Sequence, residues 1–187
     1  MTTLRHKIID FLYHTATGAK RVRLLLTPIF GLVFSVAVVL MILISFSLDR
    51  FFGWPRWIAR PWAEVIALPL LTGGAWLWLW CAGKFLKTRG TPVPVNPPPR
   101  LITDGPYAYS RNPMMTGLFM VVAGIGILFG SVTLTFIMTP IFVSVSLLEF
   151  RLIEEPELAR RFGKAYEDYR AKTPIIIPRM GWKRKIQ

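Results

Sequence analysis

Three stretches of this sequence, residues 24–48, 65–83 and 112–148, contain no charged side chain. A helix on a soluble core shows a polar face every 3.6 residues, and these stretches show none. About 20 apolar residues suffice to cross roughly 30 Å of hydrocarbon as helix. The composition agrees: 53% of residues are hydrophobic and 18% charged, against a usual charged share of about 25%. The expected fold is therefore an all-α, polytopic membrane helical bundle.

The first span is placed at Leu24–Leu48 and the second at about Glu64–Phe85. The last uncharged run has 37 residues, which as one helix would reach about 55 Å, too long for a single crossing. Gly130 and Ser131 divide it near the middle and predict a tight hairpin of third and fourth spans. About four transmembrane helices result. Gly117, Gly124 and Gly126 are expected to let helices approach closely.

Charge sets the topology. With four spans, 20 of the 23 Lys and Arg fall on one side, and only Arg50, Arg56 and Arg60 on the other. The positive-inside rule then puts both termini in the cytoplasm, of a bacterial inner membrane or an endoplasmic reticulum. A formal net charge of +13 would suggest nucleic acid in a soluble chain. Here the positive charges flank the spans, so the lipid bilayer is the expected partner and no nucleic acid is. The first 23 residues carry Arg5, Lys7, Lys20, Arg21 and Arg23, and the apolar run starts too late and is too long for a signal peptide. Ile8, Phe11 and Leu12 recur at helical spacing and suggest a short helix on the membrane surface. Cys81 is the sole cysteine, so no internal disulfide and no metal site are expected. Trp76, Trp78 and Trp80 read as an interfacial aromatic belt or as the lining of a lipophilic pocket.

The unusual polar sequence collects on the cytoplasmic side. Five prolines in residues 92–99 predict an extended, stiff connection without helix. Gly105-Pro106 marks a turn, and Asn112-Pro113 reads as an N-cap followed by proline at the first helical position. Such a helix start, with Arg111 beside it, suits a carboxylate or phosphate, although Arg111 also suits a lipid-facing anchor. Further on, Arg151 lies three and four residues before Glu154 and Glu155, the spacing of an intrahelical pair. Ionisable groups this near the bilayer are costly unless paired or used. Pro156 is expected to open a new segment, a short helix with Leu158, Phe162, Tyr166 and Tyr169 on one stripe, lying back over the site.

Two of these stretches resemble one family. Gly105-Pro-Tyr-Ala-Tyr-Ser-Arg-Asn-Pro-Met114 with Gly117 is similar to a G-x-Y-x-x-x-R-H/N-P…G signature. Glu154-Glu155…Leu158…Phe162-Gly163…Tyr166…Tyr169…Pro178 is similar to its E-E-x-x-L-x-x-x-F-G-x-x-Y-x-x-Y tail. The chain thus resembles the membrane-embedded isoprenylcysteine carboxyl methyltransferases and related phospholipid methyltransferases, over roughly residues 88–178. The resemblance implies S-adenosyl-L-methionine as cofactor, bound on the cytoplasmic side by the connection between second and third spans and the C-terminal tail. The implied contacts are Arg100, Leu101, Ile102, Tyr107, Arg111, Asn112, Pro113, Met114 and Glu154. In the implied division of labour Arg111 meets the methionyl carboxylate, Glu154 the ribose or amino group, and Tyr107 the adenine or sulfonium. Glu155 and Arg151 are the candidates for work on the acceptor. The family's substrate arginine falls on Phe150, with Arg151 one position further on.

The expected organisation is one integral membrane domain: an interfacial segment (1–23), two spans (24–86), a methyltransferase-like catalytic region (87–178) and a basic tail (179–187). The expected acceptor is lipophilic: an isoprenylcysteine-type carboxylate, a phospholipid amine or another membrane-borne molecule. A carboxylate or thiolate acceptor needs no general base, whereas an amine or hydroxyl does. His6 and His14 lie away from both motifs, which leaves Glu154 or Glu155. Two rival readings are an NADPH-dependent membrane sterol/steroid-type reductase, which lacks the Glu-Glu…Phe-Gly tail, and a non-enzymatic scaffold.

Overall fold

The computed structural model describes residues 2–88 and 90–176; Arg89, Pro178 and the basic stretch 179–187 lie outside them. Among the described residues all regular structure is helical: α1 (Thr2–Thr17), α2 (Lys20–Phe51), α3 (Arg60–Lys87), a 3₁₀ turn (Gly105–Ala108), α4 (Pro113–Phe129), α5 (Thr133–Phe162) and α6 (Lys164–Lys172). Three helices are long and apolar enough to cross a membrane: α2, α3 and α5, with 32, 28 and 30 residues. At 1.5 Å per residue they measure about 48, 42 and 45 Å. The shorter apolar α4 has 17 residues, about 25 Å. The helices outrun the bounds set by the uncharged windows. Lys and Arg lay their stems along apolar surface and keep their heads in water, so a helix does not end at its first charge. Large apolar side chains such as Leu25, Leu32 and Val36 of α2 face outward, as a bilayer solvent requires.

Helices α3 and α4 make the closest contact in the bundle. A Cβ on Gly74 would stand 2.6 Å from the Gly117 carbonyl oxygen, and one on Gly117 2.7 Å from that of Gly74. Gly124 faces Leu71 and Gly126 faces Thr135 at similarly short range. The packing role expected of these glycines is what the structure shows, with Gly74 as the partner that the uncharged run concealed.

Gly130, at φ +65°, ends α4 and gives the expected hairpin. Its turn is clamped from α2. Ser131 Oγ donates to the Asp49 carboxylate, and Thr133 donates to it through N at 2.9 Å and Oγ1 at 2.6 Å. Asp49 thus caps the start of α5 from a different helix. Beside it, Arg56 Nη2 donates to the Leu128 carbonyl at 2.9 Å. Replacing Asp49 with alanine orphans three donors and should cost about 1–3 kcal/mol. Thermal unfolding in detergent checks this, and Asp49→Asn should recover part of the loss.

At the opposite end three expectations are corrected. The proline-rich connection is not extended: Thr91 N donates to Asn96 O at 2.9 Å, Asn96 N to Val93 O at 2.9 Å, and Val95 is fully buried. Proline forbids helix here, but Asn96 turns the chain and Val95 gains by burial. Secondly, Pro156 opens no new segment. It lacks an N–H, and its ring crowds the carbonyl four residues back, that of Leu152. Helix α5 answers with a π-helical turn over Phe150–Glu154, where Glu155 N donates to Phe150 O, and then continues to Phe162. Thirdly, Gly163 breaks the supposed single helix, at φ +54° and ψ −134°, a conformation open in practice to glycine alone. Leu158 and Phe162 therefore end α5, while Tyr166 and Tyr169 belong to α6.

Helix α1 docks on this end of α5. Ile9, Leu12 and Ala16 are buried, Asp10 pairs with Arg160, and the Arg160 guanidinium lies 4.1 Å from the Tyr13 ring centre.

Candidate active site

The two motif-bearing stretches meet at this end of the bundle. Asn112 caps α4 as its spacing predicts, its Oδ1 accepting from Met115 N at 3.4 Å, with Pro113 at the first helical position. Just before the cap, Arg111 Nη1 donates to Glu155 Oε1, joining the start of α4 to the middle of the α5 exit. Both side chains are only 10% exposed. Burial pulls the Arg111 guanidinium below its usual pKa. Glu155 therefore pairs with Arg111 and not with Arg151, since the π-helical turn lies between Arg151 and Glu155 and undoes their α-helical spacing. Arg151 itself is exposed, and its neighbour Phe150 is buried.

A strap formed by α6 and the residues after it closes over the α4 start. Tyr169 Oη donates to Tyr107 O at 2.6 Å and to Ser110 O at 3.3 Å. Arg111 N donates to Pro174 O at 2.8 Å, Asn112 N to Ile175 O at 3.1 Å, and Ser110 Oγ to Ile175 O at 2.6 Å. Burial pushes the Tyr169 hydroxyl upward and that of Tyr166 up to about 12, so both remain donors at any working pH.

Under the strap lies an apolar cluster of Cys81, Ile102, Tyr107 and Met114. The Tyr107 ring meets that of Phe85 edge-on, 5.9 Å between centres. Burial first, then the nearby Cys81 and Glu154, raises the Tyr107 hydroxyl well above its ordinary value. Asp104, at the turn before Tyr107, is held below the usual carboxylate range by the hydrogen bond from Lys84. Of the other residues singled out in the sequence, Leu101 is half-buried and Arg100 exposed.

Glu154 faces a cleft beside this cluster, lined also by Glu149, Glu157, Arg161, Leu12 and Pro94. Arg161 Nε stands 3.3 Å from Glu157 Oε1. Glu149 was not singled out in the sequence. In an α-helix it would point about 140° away from Glu154, but the wider π turn brings residues five apart onto one side. Pro156 was the signal that could have found it. The place of Leu12 in this cleft was missed as well, because it arrives from a distant part of the chain, whereas the C-terminal segment expected to lie back over the site is the α6 strap. Two buried donors, Arg111 Nε and the Tyr166 hydroxyl, have no hydrogen-bond partner among the described residues. Buried donors of this kind are rarely left unused, and the pair suits a ligand carboxylate.

The sequence profile of the phospholipid methyltransferases matches residues 62–165, more than half of the chain. The chain belongs to that family. Within the family's span fall all but the first two residues of α3, all of α4 and α5, and the whole Arg111–Glu155 junction. Among known proteins, it is 42% identical over 82 residues to a protein-S-isoprenylcysteine O-methyltransferase of Schizosaccharomyces pombe, covering 42% of this chain and 33% of that one. It is 30% identical over 102 residues to the nickel-cobalt-cadmium resistance protein NccN of Alcaligenes xylosoxydans xylosoxydans, covering 54% of this chain and 43% of that one. The chain thus matches less than half the length of either relative. No solved structure matches it. Among the described residues no group of three or more His, Cys, Asp or Glu is arranged to hold a metal ion.

Proposed function

We propose that this member of the phospholipid methyltransferase family transfers the methyl group of S-adenosylmethionine to a lipophilic acceptor at the cytoplasmic face of the membrane. The observation that carries the reading is the meeting of the two motif stretches through the buried Arg111–Glu155 pair, with the unpartnered Arg111 Nε and Tyr166 hydroxyl beside it. Cytoplasmic orientation follows from the placement of 20 of the 23 Lys and Arg on the site-bearing side.

The cofactor would supply a methyl group on a sulfonium, already activated as an electrophile. The chain's own residues bind, align and keep out water, which is most of what an in-line displacement requires. Arg111 Nε and Tyr166 receive the methionyl carboxylate. Ile102, Tyr107 and Met114 offer an apolar wall for the adenine, and the Tyr107 ring face attracts the sulfonium charge. Asn112 and Pro113 fix the helix start, Arg100 and Leu101 border it, and the strap over Ser110–Asn112 excludes solvent. Glu154 binds the ribose or amino group from the cleft side. Glu155 holds Arg111 in place, and a carboxylate or thiolate acceptor needs no general base. Arg151, exposed on the π-helical turn, meets acceptor head groups.

The test is to reconstitute the protein in lipid discs and supply methyl-labelled S-adenosylmethionine with an extract of membrane lipids. Label should enter the organic phase with the wild type and fall at least about tenfold in Glu154→Ala, the scale of a lost charge-assisted contact. Absence of label in every lipid fraction would overturn the reading.

A further inference from the structure

Helix α1 lies outside the family-matched segment, yet it touches the part of α5 that carries the site. Pro156 deprives the Leu152 carbonyl of the amide donor it would have in a regular helix. That carbonyl accepts instead from Arg5 Nε, at 2.8 Å across 147 residues of chain. Leu152 lies inside the π-helical turn, two residues before Glu154 and three before Glu155. The same helix places Leu12 on the cleft that Glu154 faces. It is held there by the burial of Ile9, Leu12 and Ala16 and by the Asp10–Arg160 pair.

We infer that Arg5 is a positioning residue of the site: by satisfying the carbonyl that Pro156 leaves open, it fixes the π-helical turn that presents Glu154 and Glu155, and α1 thereby completes the cleft. The inference rests on the methyltransferase reading only for what the cleft binds. Without the Arg5 donor the Leu152 carbonyl loses this bond and is left to compete for the amide of Glu157, five residues on, so the turn is freer to change its hydrogen-bond register. With it, the two glutamates are held in the directions that place one in the cleft and the other on Arg111.

The experiment uses the full chain in detergent and two substitutions, Arg5→Met, which keeps a long apolar stem without a donor, and Arg5→Lys, which restores one. Two quantities are read: affinity for S-adenosylhomocysteine by calorimetry, and hydrogen exchange at the amides of Glu154, Glu155 and Glu157. Arg5→Met should bind about fivefold more weakly, the worth of one hydrogen bond, and exchange faster at those amides. Its thermal unfolding should change little, because the bond is at the surface. Arg5→Lys should restore most of both. Wild-type exchange in Arg5→Met, or no rescue by lysine, would overturn the role of Arg5. Faster exchange in a chain whose wild type binds no S-adenosylhomocysteine supports the role of Arg5 and overturns the cofactor reading instead.

Discussion

Alanine in place of Glu155 should destabilise the protein by about 3–5 kcal/mol, the cost of removing one partner from a buried ion pair. The side chain of Arg111 is 10% exposed, and its Nε already lacks a partner among the described residues. Arginine does not escape by losing its proton, so the charge would stay buried and uncompensated, or α4 and α5 would part to let in water. Thermal unfolding in detergent measures the loss. The double substitution Arg111→Met with Glu155→Leu should recover most of the stability, because an apolar pair of similar volume fills the same space without a desolvation cost. It should not recover cofactor binding. A single Glu155→Ala chain as stable as the wild type would show that the pair does not hold the two motif stretches together.

Leucine at Gly117 should prevent the chain from accumulating as a folded protein. Its Cβ alone would lie 2.7 Å from the Gly74 oxygen and 3.0 Å from the Trp78 nitrogen, both backbone atoms that no side-chain rotation moves aside. Overpacking a well-fitted core costs about 1–3 kcal/mol where side chains can give way, and more is expected where only backbone faces the clash. Helix association in lipid depends on this close fit. Gly83 on the same helix as Gly74 is the control, since a Cβ there meets nothing within 4 Å. Gly83→Ala should fold normally. Size-exclusion profiles of the two variants in detergent decide the matter, and a monodisperse Gly117→Leu protein would contradict the account of the α3–α4 contact.

The uncharged runs made the bundle legible before any coordinates, because hydrocarbon admits few folds besides helices. Gly130 marked the hairpin and Asn112-Pro113 marked the start of α4 for local reasons that tertiary context left intact. Legibility failed where a distant residue decided the local outcome. Pro156 alone reads as a helix end; with Arg5 available to take the Leu152 carbonyl, it becomes a π-helical turn in a helix that continues. The prolines of 92–99 read as a rod, but burial of Val95 folds them into a compact loop. The spacing of Arg151 and Glu155 reads as a pair until the π turn intervenes and Arg111, 44 residues earlier, takes the carboxylate. Tyr166 and Tyr169 were visible as motif letters, but their separation from Leu158 and Phe162 depends on the backbone of Gly163. The aromatic residues Trp76, Trp78 and Trp80 are all exposed on the bundle surface, which agrees with a belt at the membrane interface.

Titrating the purified chain with S-adenosylhomocysteine in a calorimeter, with NADPH as the comparison ligand, asks whether the Arg111–Glu155 junction and the Glu154 cleft form a site for S-adenosylmethionine. S-adenosylhomocysteine should bind saturably, and more weakly to Glu154→Gln, while NADPH should not bind. Binding of NADPH alone, or of neither ligand by a folded protein, would show that this is not a site for S-adenosylmethionine.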